Sequence, residues 1–146
     1  MKHLLIVAHG SRREESNDEV RALARRIDAL DNGVFDSTRA AFLELAEPSI
    51  PEGIQACIDA GAREILVLPY FLSAGRHVSQ DIPAAVAVKQ RQHPDIPIRL
   101  TPWLGSAAGI AGLVLETALA VHEATPGKKE ENGIRPYPPP FPLRQR

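Results

Sequence analysis

A single cysteine, Cys57, occurs among the 146 residues. That excludes an intramolecular disulfide, and any zinc or iron–sulfur site built from several thiolates. Cys57 falls at helical spacing with Ile54 and Ile58, the position of a small buried hydrophobe. Charge of one sign is also missing: 17 Lys and Arg stand against 18 Asp and Glu, a net charge of −1. Nothing in that balance points to nucleic acid or an anionic membrane surface as a partner. Long hydrophobic runs are absent too. The N-terminal apolar stretch, Leu4–Ala8, meets Arg12 and Arg13 at once and is too short for a signal peptide or a membrane span. A cytoplasmic protein is expected. There is no P-loop for phosphates and no G-x-S-x-G nucleophile elbow.

What is present is enough for one domain with a real core, since 44% of the residues are hydrophobic. Two stretches organise it. Leu4–Ala8 is an apolar run followed directly by His9-Gly10-Ser11. Ile65–Leu68 is a second such run, and its loop from Pro69 to Ser79 carries His77. Short apolar runs bounded by Gly, Pro or Ser read as strands buried on both faces of a parallel sheet.

Between and after them the pattern alternates. Capping boxes at Ser11-x-x-Glu14 and Ser16-x-x-Glu19 predict a helix start near one of them, with Asn32-Gly33 as its stop. Thr38–Leu45 reads as strand two. Ser49-x-x-Glu52 with Pro51 opens helix two, which Gly61 ends. Strand three is Glu64–Leu68. A third helix starts near Gln80 to Ile82, with Pro83 in its first turn, and stops before His93-Pro94. Strand four is Ile96–Leu100, and Pro97 consigns it to a sheet edge. Ser106 is the expected cap of a last helix whose apolar residues cover more than one face. Residues 1–125 form the expected domain. Residues 126–146 hold six of the 13 prolines and read as an extended tail.

The order β-α-β-α-β-α-β-α implies an α/β fold, a parallel sheet between two helical layers with right-handed crossovers. Strand order 2-1-3-4 places strands one and three in the middle and the proline-bearing strand at an edge. The winding then reverses between strands one and three. Open α/β sheets bind ligands at that point, outside the strands' carboxyl ends. His9 and His77 both belong to loops leaving that end.

Two imidazoles across a cleft suit a first-row transition metal held loosely, and a base near neutral pH. Arg12, Arg13 and Arg76 bring positive charge to the same rim, which suggests an anionic substrate. Tyr70, Phe71 and Leu72 add apolar surface. Glu44, near the end of strand two, is a candidate acid/base group, while Glu47 reads as a favourable charge at the start of helix two. His3, His93 and His122 lack such context and read as surface residues. Ser11 makes a poor nucleophile, because no acid is evident to orient His9.

On LLIVAHGSR (Leu4–Arg12), AFLELAEPSIPEGI (Ala41–Ile54) and ILVLPYFLSAGRHVSQDIP (Ile65–Pro83), the chain resembles the small CbiX-type sirohydrochlorin cobaltochelatases, class II chelatases, over about residues 1–122. The resemblance implies insertion of a divalent metal, Co²⁺ first and Fe²⁺ or Ni²⁺ as alternatives, into a reduced tetrapyrrole on the route to cobalamin or sirohaem. It makes His9 the proton acceptor and a metal ligand, and His77 the second ligand. It puts substrate contacts on Leu72, Ser73, Ala74, Gly75 and Arg76 and beside the Glu-Pro turn at Ala46; Ser11 and Arg12 join that set. Some relatives carry a further His in the loop where Ser73-Ala74 stand. No organic cofactor is implied. A homodimer is, in agreement with the wide apolar surface of the last helix.

Two rivals remain. One is a metal or tetrapyrrole carrier without turnover. The other is a histidine phosphatase, which wants an Arg directly before its His where this chain has Ala8.

Overall fold

The computed structural model describes residues 1–123, save the side chains of His77, His122 and Glu123. The expected boundary at residues 125/126 and the proline-rich tail lie outside the described residues. Four strands form one sheet: β1 (Lys2–Ala8), β2 (Ser37–Phe42), β3 (Glu64–Pro69) and β4 (Ile98–Leu100). All neighbours are parallel, in the order β2-β1-β3-β4. Both the class and the strand order agree with the sequence reading.

Strand β1 is buried from His3 to Ala8 because helices cover both faces of the sheet. Leu4 and Ile6 pack with Ala24, Val20 and Ile27 of α1 (Glu14–Leu30) on one face. Leu5 and Val7 point the other way, into a core with Ile54 and Cys57 of α2 (Ile50–Asp59) and Ile82 and Val86 of α3 (Ile82–Gln92). Full burial of each large aliphatic chain stabilises by about 1.5–3 kcal/mol. Close approach of α2 depends on Gly53, whose absent β-carbon would stand 2.8 Å from that of Ala41.

Local signals succeed where the chain ends its own segments. Ser49 accepts from the Glu52 N–H at 3.3 Å while the Glu52 carboxylate accepts from the Ser49 N–H at 3.1 Å, a complete capping box. The fourth strand does lie at the edge, but it begins at Ile98 rather than Ile96, so Pro97 stands just before it, and the Pro97 carbonyl accepts from the Ile65 N–H at 2.9 Å.

Several boundaries shift. Neither capping box at the start of α1 forms; Arg13 precedes the helix without a side-chain cap. Asp31, not Asn32-Gly33, ends it, since its carboxylate accepts from the N–H groups of Val34 and Phe35 at 2.9 and 2.7 Å. Strand β2 stops at Phe42, because the chain turns at Leu45, a non-glycine residue with φ 63°. Ser106 does not cap the last helix: its hydroxyl donates to the Trp103 carbonyl at 2.7 Å within a short 3₁₀ turn, Leu104–Ser106. His3 is a larger correction. It lies on the buried strand β1 at 1% exposure rather than on the surface.

The described residues fall into two units, Met1–Ile110 and one beginning at Ala111. The helix α4 spans Ile110–Glu123, and Leu113, Val114, Leu115, Leu119 and Val121 on it are exposed. No helix among the described residues is long and apolar enough to cross a membrane.

Candidate active site at the carboxyl edge of the sheet

Parallel pairing between β1 and β2 continues past the ends of both strands. The Leu43 N–H donates to the Ala8 carbonyl at 2.9 Å and the Glu44 N–H donates to the His9 carbonyl at 3.0 Å. These two bonds carry Glu44 alongside His9, 35 residues away in the chain. Their side chains meet: His9 Nε2 and Glu44 Oε1 are 2.8 Å apart, with 45% and 53% of the side chains exposed. A carboxylate only accepts, so the imidazole N–H is the donor. The acid that sequence reading did not find beside His9 is therefore Glu44.

Gly10 makes this approach possible. Its φ is +93°, and a β-carbon built on it would stand 1.7 Å from the Glu44 carbonyl oxygen. On the other flank the Tyr70 N–H donates to the Val7 carbonyl at 2.8 Å, which starts the β3–α3 loop beside β1. Phe71 then presents its ring edgewise to His9, with centroids 6.5 Å apart. The same loop rests on a second close approach, where Gly105 donates its N–H to the Phe71 carbonyl at 2.9 Å.

His77 opens a π-helical turn, His77–Asp81, that runs into α3. Its backbone thus leaves the same end of the sheet as His9; its side chain is outside the description. Among the described residues no three His, Cys, Asp or Glu side chains converge as a metal cluster.

The expected substrate contacts lie at or near the surface. Leu72, Ser73, Ala74, Gly75 and Arg76 are all exposed, as is Arg12, and Ala46 is half-buried. The Ser11 hydroxyl accepts from the Arg13 N–H at 3.0 Å.

Two residues escaped sequence reading. Asn17 is 1% exposed and clasps the Ser11 main chain, accepting its N–H at 2.9 Å and donating to its carbonyl at 2.8 Å. Arg21 donates to Glu14 and to Asp18 (2.8 Å), and to the Glu47 carbonyl at 2.9 Å, with its guanidinium 5.1 Å from the Phe42 ring centroid. The readable signal was an amide in line with the apolar stripe Val20, Ala24 and Ile27 of α1.

The CbiX family profile matches residues 3–120. The chain belongs to the CbiX family. A sirohydrochlorin cobaltochelatase of Methanococcus maripaludis is 38% identical over 88 residues, 60% of this chain and 60% of that protein. The chloroplastic sirohydrochlorin ferrochelatase of Arabidopsis thaliana is 35% identical over 102 residues, 70% of this chain and 44% of that one. Among solved structures, the sirohydrochlorin chelatase SirB of Bacillus subtilis subspecies spizizenii in complex with cobalt superposes with a TM-score of 0.72 at 29% identity, over 82% of this chain and 50% of SirB. SirB from Bacillus subtilis with Fe³⁺ gives the same TM-score. The chain thus spans less than two thirds of these relatives' own lengths.

Proposed function

We propose that this CbiX chain inserts a divalent metal into sirohydrochlorin, with Co²⁺ the first candidate and Fe²⁺ or Ni²⁺ the alternatives. The observation that carries the reading is the 2.8 Å contact between His9 and Glu44 at the carboxyl end of the sheet. Insertion must remove two pyrrole N–H protons and pass the ion to the ring nitrogens. A base that also ligates the metal couples those steps. At the pair, a proton and a divalent ion compete for the same imidazole lone pair, so metal binding and proton release are linked.

In this reading His9 is proton acceptor and ligand, His77 is the second ligand, and Glu44 relays the proton. Support for metal at this fold comes from the relatives: SirB structures hold cobalt or Fe³⁺, and curated relatives are named for cobalt or iron insertion. Ser11, Arg12, Ala46 and the Leu72–Arg76 segment would meet the substrate, with Arg12 and Arg76 facing its carboxylates. The reaction needs no organic cofactor, belongs to cobalamin or sirohaem formation, and takes place in the cytoplasm. Two copies associate through the exposed apolar residues of α4, which no solvent-facing helix needs in such number.

The deciding assay mixes the protein with sirohydrochlorin and each metal and follows the tetrapyrrole absorption. Turnover that is lost in His9→Ala and reduced in His77→Ala is the expected result. Stoichiometric binding without turnover makes the protein a carrier, and phosphoester hydrolysis makes it a phosphatase. Sedimentation equilibrium reads the dimer directly; a monomer at micromolar concentration would refute that part.

A further inference from the structure

One face of α1 holds a polar chain that links both loops of the candidate site. Asn17 grips the Ser11 main chain through both atoms of its amide, two residues beyond His9. The same amide nitrogen donates to Glu14 at 3.3 Å. Glu14 accepts in turn from Arg21, and the guanidinium continues to the Glu47 carbonyl, three residues beyond Glu44. Arg21 first and Asn17 second hold the Glu14 carboxyl below its ordinary range.

The helix start alone does not require this arrangement. A buried amide on an apolar stripe is costly unless both its donor and its acceptor are used. Here they are used on the backbone of the loop between His9 and α1. The turn that follows Glu44 also needs holding. Leu45 sits at φ 63°, a conformation that persists in a branched side-chain residue only when its surroundings over-determine it. The Phe42 N–H closes the turn from within, donating to the Pro48 carbonyl at 2.9 Å, and Arg21 holds it from outside.

We propose that Asn17 and Arg21 are positioning residues that set the separation of His9 and Glu44, Asn17 through the Ser11 backbone and Arg21 through the Glu47 carbonyl, with Glu14 as the link between them. The inference rests on the chelatase reading of the pair. Neither residue touches substrate; each acts through the loop it grips.

The test is a double-mutant cycle in the full chain. Arg21→Gln is made alone, and together with Glu44→Gln, and kcat and KM for sirohydrochlorin are measured with Co²⁺. Alone, Arg21→Gln lowers kcat about tenfold and moves KM less than about twofold, since misplacement of a reacting group falls on the chemical step. In the Glu44→Gln background it has no further effect, because the group it positions is already gone. The visible absorption of bound Co²⁺, without tetrapyrrole, changes in Arg21→Gln only while Glu44 is present. Asn17→Asp keeps the acceptor for the Ser11 N–H but loses the donor, and lowers kcat in the same way. Where Arg21→Gln does not fold, Arg21→Lys enters the same cycle.

Equal losses in both backgrounds overturn the inference and leave the chelatase reading intact. So does a lowered melting temperature with unchanged kcat at a temperature where the variant is folded. Unchanged kcat in Glu44→Gln alone overturns the role given to Glu44, and the positioning inference with it.

Discussion

The carbonyl oxygen of Glu44 occupies the space that a β-carbon on Gly10 would need. The two loops that carry His9 and Glu44 are therefore in backbone contact, and residue 10 sets how near they come. Gly10→Ala meets both a positive φ and a clash at 1.7 Å with main chain, which cannot swing aside as a side chain would. The substitution is expected to destabilise by about 2 kcal/mol or more and to separate the pair. Urea unfolding reads the first effect, and the rate of the proposed metal insertion reads the second. A Gly10→Ala protein with unchanged stability and rate would contradict the close packing described.

His3 makes the fold sensitive to acid. Both ring nitrogens are buried without a hydrogen-bond partner among the described residues. Burial first, and the charge of Arg39 second, push its pKa below the ordinary histidine value. The unfolded chain takes up a proton near pH 6.5, while the folded chain resists doing so. Stability is thus complete above that pH and declines as pH falls below it toward the lower folded value. His3→Leu, which removes the orphaned nitrogens, should raise stability and flatten this decline below about pH 6.5. Denaturant midpoints at several pH values give the comparison; a decline of the same slope in His3→Leu would place its cause elsewhere.

The capping box of α2 offers a local check. Ser49→Ala removes the acceptor for the Glu52 N–H and leaves that donor to water. The loss should be about 1 kcal/mol. Because Ser49 follows the turn that carries Glu44, the same variant is expected to retain most of the rate of the proposed metal insertion, unlike Gly10→Ala.

Cys57 is fully buried in the larger core that also holds Ile54 and Val67, and burial pushes its thiol pKa up. Both effects make it inert. A thiol reagent should label it only at the rate of unfolding, so that labelling and denaturant unfolding share one midpoint. Fast labelling in the native protein would show that the core near α2 opens without global unfolding.

The order of elements was readable from local chemistry. Apolar runs bounded by turn residues marked β1 and β3, Ser49 and Glu52 marked the start of α2, and Pro97 demanded an edge position for the fourth strand. These signals act within a few residues, so composition and spacing express them directly. From them followed the strand order, and from the strand order the end of the sheet where a site would lie. The sequence by itself determined that much.

The site's inner geometry was decided elsewhere. His9 meets Glu44 because two hydrogen bonds extend a parallel ladder past its strands, and no periodicity announces where a ladder stops. The Ser11-x-x-Glu14 box does not form because Asn17 has already engaged the Ser11 backbone, a choice made between a loop residue and a helix residue. His3 is buried because β1 lies in the middle of the sheet, covered on both faces, and that position belongs to the assembled layers rather than to the strand. Each of these facts depends on which distant groups compete for one donor, one acceptor or one volume, and only the folded chain brings those competitors together.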